Sequence, residues 1–174
     1  MESNVEYIIP FTGLKVGIHE FEFDLDGVFF EHFDYSEIGK CAINIKVSLD
    51  RKEHMMVFEF DISGKAEVLC DRCQEEVEIE LAHVDQLVVK FGDQTSDFEE
   101  EIIILGPHEH QFDLTQFLFE FCHLALPPRR VHDTMEECNQ DVIEVLNGMS
   151  LEEDDNDNEI DPRWAALKNI ADNE

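Results

Sequence analysis

Two cysteines separated by two residues are the strongest candidates for chemistry in this sequence. In a tight turn, the spacing of Cys70 and Cys73 lets both thiolates bind one metal ion, as in structural zinc sites. Such a site needs two further ligands. His132 and Cys138 are the candidates, because they lie in a polar segment that follows a proline break. These four residues predict a Cys3His zinc site.

The cysteine pair has two other interpretations, a redox-active dithiol and a pair of buried thiols. A thioredoxin-like pair lies at the N-terminus of a helix, whereas Cys70 and Cys73 lie between two predicted antiparallel strands, which favours a metal site. The other two cysteines, Cys41 and Cys122, are expected in the core.

Three histidines outside this set are weaker candidates for metal binding. His108 and His110 form a possible second metal pair, but spacing places no thiol or carboxylate beside them. His123 is expected to face solvent.

Three of the 12 cationic residues flank the cysteine and histidine regions: Arg72, Arg129 and Arg130. They have two interpretations. Either they compensate the charge of the thiolates, or they form a small positive patch that contacts the phosphate backbone of RNA.

The sequence contains no G-x-G-x-x-G, P-loop, G-x-S-x-G or H-E-x-x-H motif. With 42 carboxylates, chance pairs of acids are frequent, so paired-acid catalysis cannot be argued. Apart from the cysteine pair, whose redox interpretation would make the protein a cytosolic thiol-disulfide enzyme, the sequence therefore shows no catalytic arrangement and no evident small-molecule substrate.

The segments that must position these residues are mostly strands. Apolar and polar residues alternate in residues 20–26, 41–49, 56–62, 66–70 and 77–81. The short intervals favour an antiparallel meander that turns back at the cysteines. The fold class is therefore α+β, with a mostly antiparallel sheet or partly open barrel and C-terminal helices.

The second half of the chain mixes a loop, a strand and a helix. Residues 92–101 are acidic and irregular and predict a solvated loop, and residues 102–105 predict a short strand. A helix follows from Leu114 to Ala125, with Asp113 as N-cap and Pro127-Pro128 as its stop.

The composition changes near residue 150. We expect residues 1–150 to form a single α+β domain, 151–160 to be an acidic disordered tether and 161–174 to form a short docking helix. Residues 151–161 include seven acids among eleven positions, too polar to fold alone. Arg163, Trp164 and Leu167 are the expected partner contacts in the helix.

The charge balance restricts the possible partners. The 174 residues include 42 acidic and 12 basic ones, so the formal net charge is −30. Such a chain repels nucleic acid at long range, which argues against a free-standing, non-specific DNA or RNA binder. Basic proteins are the natural partners, and an acidic mimic of nucleic acid is an alternative.

The expected location is the cytoplasm. The sequence has no run of 18 apolar residues, and its first ten residues carry no cation of the kind found in secretory signals. An odd number of cysteines, five, also argues against a disulfide framework.

Several segments, in this order and spacing, resemble the YceD family of bacterial proteins linked to accumulation of large-subunit (23S) ribosomal RNA. The segments are Leu69-Cys70-Asp71-Arg72-Cys73, Phe112-Asp113-Leu114, Leu124-Ala125-Leu126-Pro127, Val131-His132-Asp133 with Cys138, and Asp161-Pro162-Arg163-Trp164-Ala165-Ala166-Leu167. The resemblance implies a non-enzymatic role in biogenesis of the large ribosomal subunit. The implied partner is ribosomal RNA or a basic large-subunit ribosomal protein. Where some family members have further cysteine pairs, this chain has only His132 and Cys138.

Overall fold

A six-stranded mixed sheet forms the centre of the protein. The computed structural model describes residues 7–92, 96–99 and 102–149. The strands are β1 (Ile8–Ile9), β2 (Gly17–Asp26), β3 (Cys41–Arg51), β4 (Met55–Leu69), β5 (Glu76–Phe91), β6 (Ser96–Glu99), β7 (Ile102–Leu105) and β8 (Phe112–Asp113). The helices are α1 (Gly27–Phe30), α2 (Thr115–Leu124) and α3 (Gln140–Met149), with 3-10 turns at Phe11–Gly13 and Met135–Glu137.

Strands β2 to β5 form an antiparallel meander, as the alternation in the sequence predicts. Beyond β5 the order is β7 and then β6, and β7 runs parallel to the end of β5. Strands β1 and β8 form a separate antiparallel pair. Within the described ranges β2 and β6 are the two ends of the sheet, so the sheet is open and does not close into a barrel.

One face of the sheet carries the core. Alternate residues of β3 and β4, such as Val47 and Phe60, point to this face and are fully buried. Helix α2 covers it, and the ring of Phe121 lies 4.9 Å from that of Phe60. The segment after α1 packs on α2 through the stacked rings of Phe33 and Phe119, 4.0 Å apart. The opposite face carries mostly polar residues, with Ile18, Leu69 and Val84 exposed among them.

Strand β4 is longer than the sequence pattern suggests, because it continues through Gly64. Gly64 pairs with Ile43 on one side and Leu81 on the other, at a positive φ of 149°. A Cβ at this position would overlap the carbonyl oxygen of Ala42 and lie 2.8 Å from the Cα of Ile43. Glycine therefore allows β3 and β4 to approach closely without interrupting the strand.

The structure differs from the sequence prediction at residues 92–101 and at the start of α2. The prediction of a loop over residues 92–101 is wrong for Ser96–Glu99, which pairs with β7 despite its acidic composition. Helix α2 begins one residue later than predicted, with Leu114 and not Asp113 at the N-cap, although a carboxylate oxygen of Asp113 accepts from the backbone N–H of Thr115 at 2.8 Å.

The expected tether over 151–160 and docking helix over 161–174 lie outside the described residues. Among the described helices, none is long and apolar enough to cross a membrane.

Candidate metal centre

The four predicted ligands meet at one end of the β4–β5 hairpin. The ligand atoms of Cys70, Cys73, His132 and Cys138 all lie within 4.8 Å of one another. The sulfur atoms of Cys73 and Cys138 are each 3.6 Å from Nδ1 of His132. Tetrahedral zinc, with bonds of about 2.3 Å to sulfur and 2.0–2.1 Å to nitrogen, separates these atoms by about 3.6 Å. The group can hold a metal ion and is compatible with zinc.

The hairpin turn positions the first two ligands. Cys70 donates its backbone N–H to the carbonyl of Glu75 at 2.8 Å, and Gln74 donates to the carbonyl of Cys70 at 2.8 Å. Gln74 adopts a left-handed conformation with φ of 62° to complete the turn. Both cysteines are thereby directed inward, with exposed fractions of 0% and 3%.

Hydrogen bonds attach the segment with the other two ligands to this turn. The backbone N–H of Asp71 donates to the carbonyl of Arg130 at 2.7 Å, and Arg130 N–H donates to the carboxylate of Asp71 at 2.7 Å. Farther along, the amide of Asn139 donates to the carboxylate of Glu75 at 3.0 Å. These contacts bracket His132 and Cys138 and hold them against the hairpin.

The cysteines have an apolar surround of their own. Cys70, Cys73 and Cys138 form a buried cluster distinct from the main core, with partly buried side chains packed around it: Val77, Val131, Val142 and Ile143. Two of these side chains come from the start of α3, which begins with the Asn139 side chain accepting from the N–H of Asp141 at 3.1 Å. The site is thus a small folding unit beside the sheet.

The thiols of the site differ in their tendency to ionise. Burial opposes ionisation of Cys70. Hydrogen bonds to its thiolate outweigh this effect and lower its pKa to about 6. The donors are the backbone N–H groups of Cys73, Arg72 and His132, together with the ring of His132. Burial and the neighbouring Cys73 raise the pKa of Cys138, although a hydrogen bond from Arg72 opposes this. A metal ion would hold all three as thiolates.

The structure separates the three arginines predicted near the site. Arg72 donates to the sulfur of Cys138 at 3.3 Å, and Arg130 donates to the carboxylate of Glu37 at 2.8 Å. Arg129 is exposed. Arg72 is therefore placed to compensate thiolate charge, whereas Arg130 pairs with the carboxylates of Glu37 and Asp71, and contact of the three arginines with RNA remains a prediction. Arg163, Trp164 and Leu167 lie outside the described residues.

The remaining cysteines belong to the core, as predicted. Cys122 is fully buried, and burial followed by the proximity of Cys41 raises its pKa to about 12. Cys41 is half-buried, and burial followed by the charge of Asp26 raises its pKa to about 11. In the described part of the chain, neither thiol belongs to a group of three or more potential metal ligands.

The expectation that His123 faces solvent is wrong. Its ring lies 4.2 Å from that of Phe119, its Nδ1 donates to the Phe119 carbonyl at 2.9 Å, and its Nε2 accepts from the N–H of Glu37 at 3.2 Å. His123 therefore fastens the loop before β3 onto α2. In the described part of the chain, His108 and His110 join no group of three or more potential ligands.

Several supporting residues are not identifiable from sequence spacing. The N–H···S bond of Arg72 and the link between Asn139 and Glu75 depend on side-chain directions across distant segments. Among the supporting residues, only Asp71 could be singled out from the sequence, because it lies within the cysteine motif. Its carboxylate accepts a hydrogen bond from the backbone N–H of Arg130.

The fold and site define an open-sheet α+β protein with a zinc-knuckle-like cysteine cluster. The model of one family matches residues 58–171, which is 114 of the 174 residues, and its description is "Large ribosomal RNA subunit accumulation protein YceD". The chain belongs to the YceD family. The description refers to accumulation of large-subunit ribosomal RNA and names no catalytic activity. Comparison with curated proteins and with solved structures finds no match.

Proposed function

We propose that this protein is a non-enzymatic factor in large-subunit assembly that binds a basic ribosomal protein and thereby favours accumulation of 23S ribosomal RNA. Membership of the YceD family supports the process. The charge distribution supports the kind of partner. Such a role belongs in the cytoplasm, where bacterial ribosomes are assembled.

The observation that carries the proposal is the acidic open face of the sheet. This face is opposite the core and is not covered by α2. Its exposed carboxylates are Glu20, Glu22, Asp24, Asp26, Glu59, Asp61, Glu76, Glu78 and Glu80, and its exposed lysines are Lys46, Lys65 and Lys90. Lys65 is neutralised by Glu78 at 2.6 Å. A surface of this sign attracts a cationic partner and speeds its encounter.

The same charges disfavour direct binding of RNA to this face, because phosphates would meet carboxylates. Near the metal centre, Arg72 and Arg130 already contact Cys138, Glu37 and Asp71. We therefore favour a protein partner, and direct contact of RNA with Arg72, Arg129 and Arg130 is the alternative outcome of the test.

We propose that zinc at the Cys3His group has a structural role. It would join residues 70–75 to residues 130–143 and so hold α3 beside the hairpin. The C-terminal segment, with Arg163, Trp164 and Leu167, is proposed to dock on the partner or on the sheet, and deletion of residues 161–174 tests this.

Affinity purification of the full chain, with mass spectrometry of bound proteins and sequencing of bound RNA after nuclease treatment, tests the proposal. We expect a basic large-subunit protein that stays bound when RNA is digested. Glu59→Gln with Asp61→Asn should weaken its capture several-fold. Glu31→Gln with Asp34→Asn is the matched control, because these exposed acids lie in the α1 segment, on the covered side of the sheet.

Three results would contradict the proposed partner. Capture that disappears with nuclease and with replacement of Arg72, Arg129 and Arg130 by Ala would indicate RNA as the direct ligand. Recovery of a nucleic-acid enzyme in place of ribosomal proteins would indicate an acidic mimic. Recovery of no basic protein would remove the proposed binding role.

A further inference from the structure

Strand β2 is a long, unpaired edge of the sheet. Among the described strands, its ten residues pair with β3 on one side and with none on the other. In an antiparallel pair, every second residue directs its N–H and C=O away from the partner strand. In the described part of the chain no other strand pairs with these outward groups, and no backbone hydrogen bond from another segment reaches them. The edge therefore offers a ladder of free donors and acceptors.

The side chains of this edge form two different rows. On the open face Glu20, Glu22 and Asp24 are all exposed. On the core face Phe21 and Phe23 are only half-buried, although they pack against the core. The ring of Tyr7, 5.7 Å from that of Phe23, covers part of this row, and no described strand lies outside it.

Two of the acids are held in fixed positions. The side-chain amide of Asn44 on β3 donates to the carboxylate of Glu22 at 3.0 Å and to that of Asp24 at 2.8 Å. These contacts keep both carboxylates on the open face beside the edge. A cation there would meet a preorganised pair of acids.

We propose that β2 binds an extended basic segment of the partner as an added strand. The segment would alternate Lys or Arg with apolar residues, so that cations lie opposite Glu20, Glu22 and Asp24 while apolar side chains cover Phe21 and Phe23. Backbone hydrogen bonds to the edge supply affinity, and the two rows supply selectivity. This inference rests on the proposed function and specifies how the basic partner is recognised.

Charge excludes the other simple occupants of the edge. A second copy of the chain pairing through β2 would bring one acidic row against another. The segment of residues 151–161 carries seven acids, and residues 1–6 carry Glu2 and Glu6 without a cation. A cationic strand from another protein is the complementary occupant.

The sheet has a second partly unpaired strand, which serves as an internal comparison. Strand β5 pairs with β7 only over residues 88–91, so residues 76–87 have no described strand beyond them. The start of that edge is flanked by the metal centre, since Val77 packs on the cysteine cluster and Glu75 accepts from Asn139. Strand β2 is not flanked by the metal centre; its described neighbours beyond β3 include the ring of Tyr7, 5.7 Å from that of Phe23, and helix α1, and no described strand lies outside it.

The test uses the full-length, zinc-loaded protein and a synthetic nine-residue peptide that alternates Lys with Val or Thr. Amide hydrogen exchange is followed by NMR with and without the peptide. We expect at least about tenfold slower exchange at every second residue of β2, the outward set, with the intervening amides unchanged. The same peptide N-methylated at alternate residues should lose most of its affinity, because it cannot complete the ladder.

Charge variants complete the experiment. Glu20→Gln with Glu22→Gln should weaken peptide binding by about tenfold, while the control pair Glu31→Gln with Asp34→Asn should leave it nearly unchanged. Protection along β5, protection without alternation, or equal binding of the N-methylated peptide would overturn the inference. If the full chain still captures a basic ribosomal protein in any of these cases, only the recognition mode fails. If no basic protein is captured, the proposed function fails as well.

Discussion

At the scale of single residues, the candidate metal centre consists of four potential ligands and the groups that orient them. Arg72 contributes a positive charge and an N–H···S bond to Cys138, so a Cys3His site of net charge about −1 would be neutralised within its own turn. Asp71 joins the two halves of the site through the backbone of Arg130. The two residues between the cysteines, Asp71 and Arg72, therefore both make contacts that hold the site together.

Replacing Cys138 by Ser should abolish stoichiometric zinc binding. The wild-type protein is expected to contain about one zinc per chain, and a structural site of this kind contributes on the order of 10 kcal/mol. Because the cysteine cluster is separate from the main core, the loss should fall on residues 126–149, which become sensitive to protease while the sheet stays protected. Cys41→Ser, remote from the site, is the control and should retain the metal.

The same measurement distinguishes a metal site from a redox site. Purified protein without metal, whose Cys70 and Cys73 oxidise readily to a disulfide, would indicate a thiol-disulfide protein instead. Chelation of zinc that leaves both the melting temperature and the protease pattern unchanged would rule out a structural role for the metal.

Removal of the metal should reveal one unusually acidic thiol. In the zinc-free protein the hairpin turn still provides the backbone N–H groups of Cys73 and Arg72, so Cys70 should titrate below its ordinary pKa of about 9, and Cys70→Ser should remove this step from the thiolate absorbance near 240 nm. Since the pKa of Cys70 is lower in the folded state than its ordinary value of about 9, its ionisation stabilises the fold. That contribution is complete above about pH 9 and is lost as the pH falls through about 6. A free energy of unfolding with the same pH dependence in wild type and Cys70→Ser would contradict this assignment.

At the scale of elements, the β4–β5 hairpin connects the core to the metal centre. Its strands carry core residues on one face and acids on the other, and its turn carries two of the ligands. Continuous pairing over 15 residues of β4 depends on the close approach of β3 at Gly64.

Gly64→Ala should destabilise the protein strongly. The positive φ alone costs about 1–3 kcal/mol for a residue with a side chain, and the overlap of the new Cβ with Ala42 adds to this. Gly13→Ala is the matched control, because a Cβ there meets no atom within 4 Å. Chemical denaturation gives both values. Equal unfolding free energies for the two variants would show that β3 and β4 separate at little cost.

At the scale of the whole molecule, charge is divided unequally between the faces of the sheet. The net charge of −30 is carried partly by the face that helix α2 does not cover, while aromatic residues gather on the other. An acidic face of this kind keeps the open sheet from associating with itself and attracts cationic chains.

Association with the basic partner should depend strongly on salt. Between low ionic strength and 0.15 M, the Debye length falls to about 8 Å, so long-range attraction is screened. The association rate measured by stopped flow should fall by about an order of magnitude or more, while the dissociation rate changes less. An association rate that is independent of salt would indicate an apolar interface away from the acidic face.

The local features of this protein can be predicted from its amino-acid sequence. The alternation over β2 to β5 predicts the strands and the face each residue occupies, because side-chain direction in a strand has a period of two. The spacing of Cys70 and Cys73 between two such strands predicts a hairpin turn with converging thiols, and the excess of acids defines the field of the molecule.

Features that depend on the distance between remote segments follow only from the tertiary structure. His132 and Cys138 lie 59 and 65 residues after Cys73, and only the packing of residues 126–149 beside the hairpin brings them to ligand distance. The same packing turned Arg72 toward Cys138 and buried His123 against Phe119. It also placed β2 at one edge of the described sheet, since the order of strands in a sheet follows from long-range pairing and not from the pattern within any one strand.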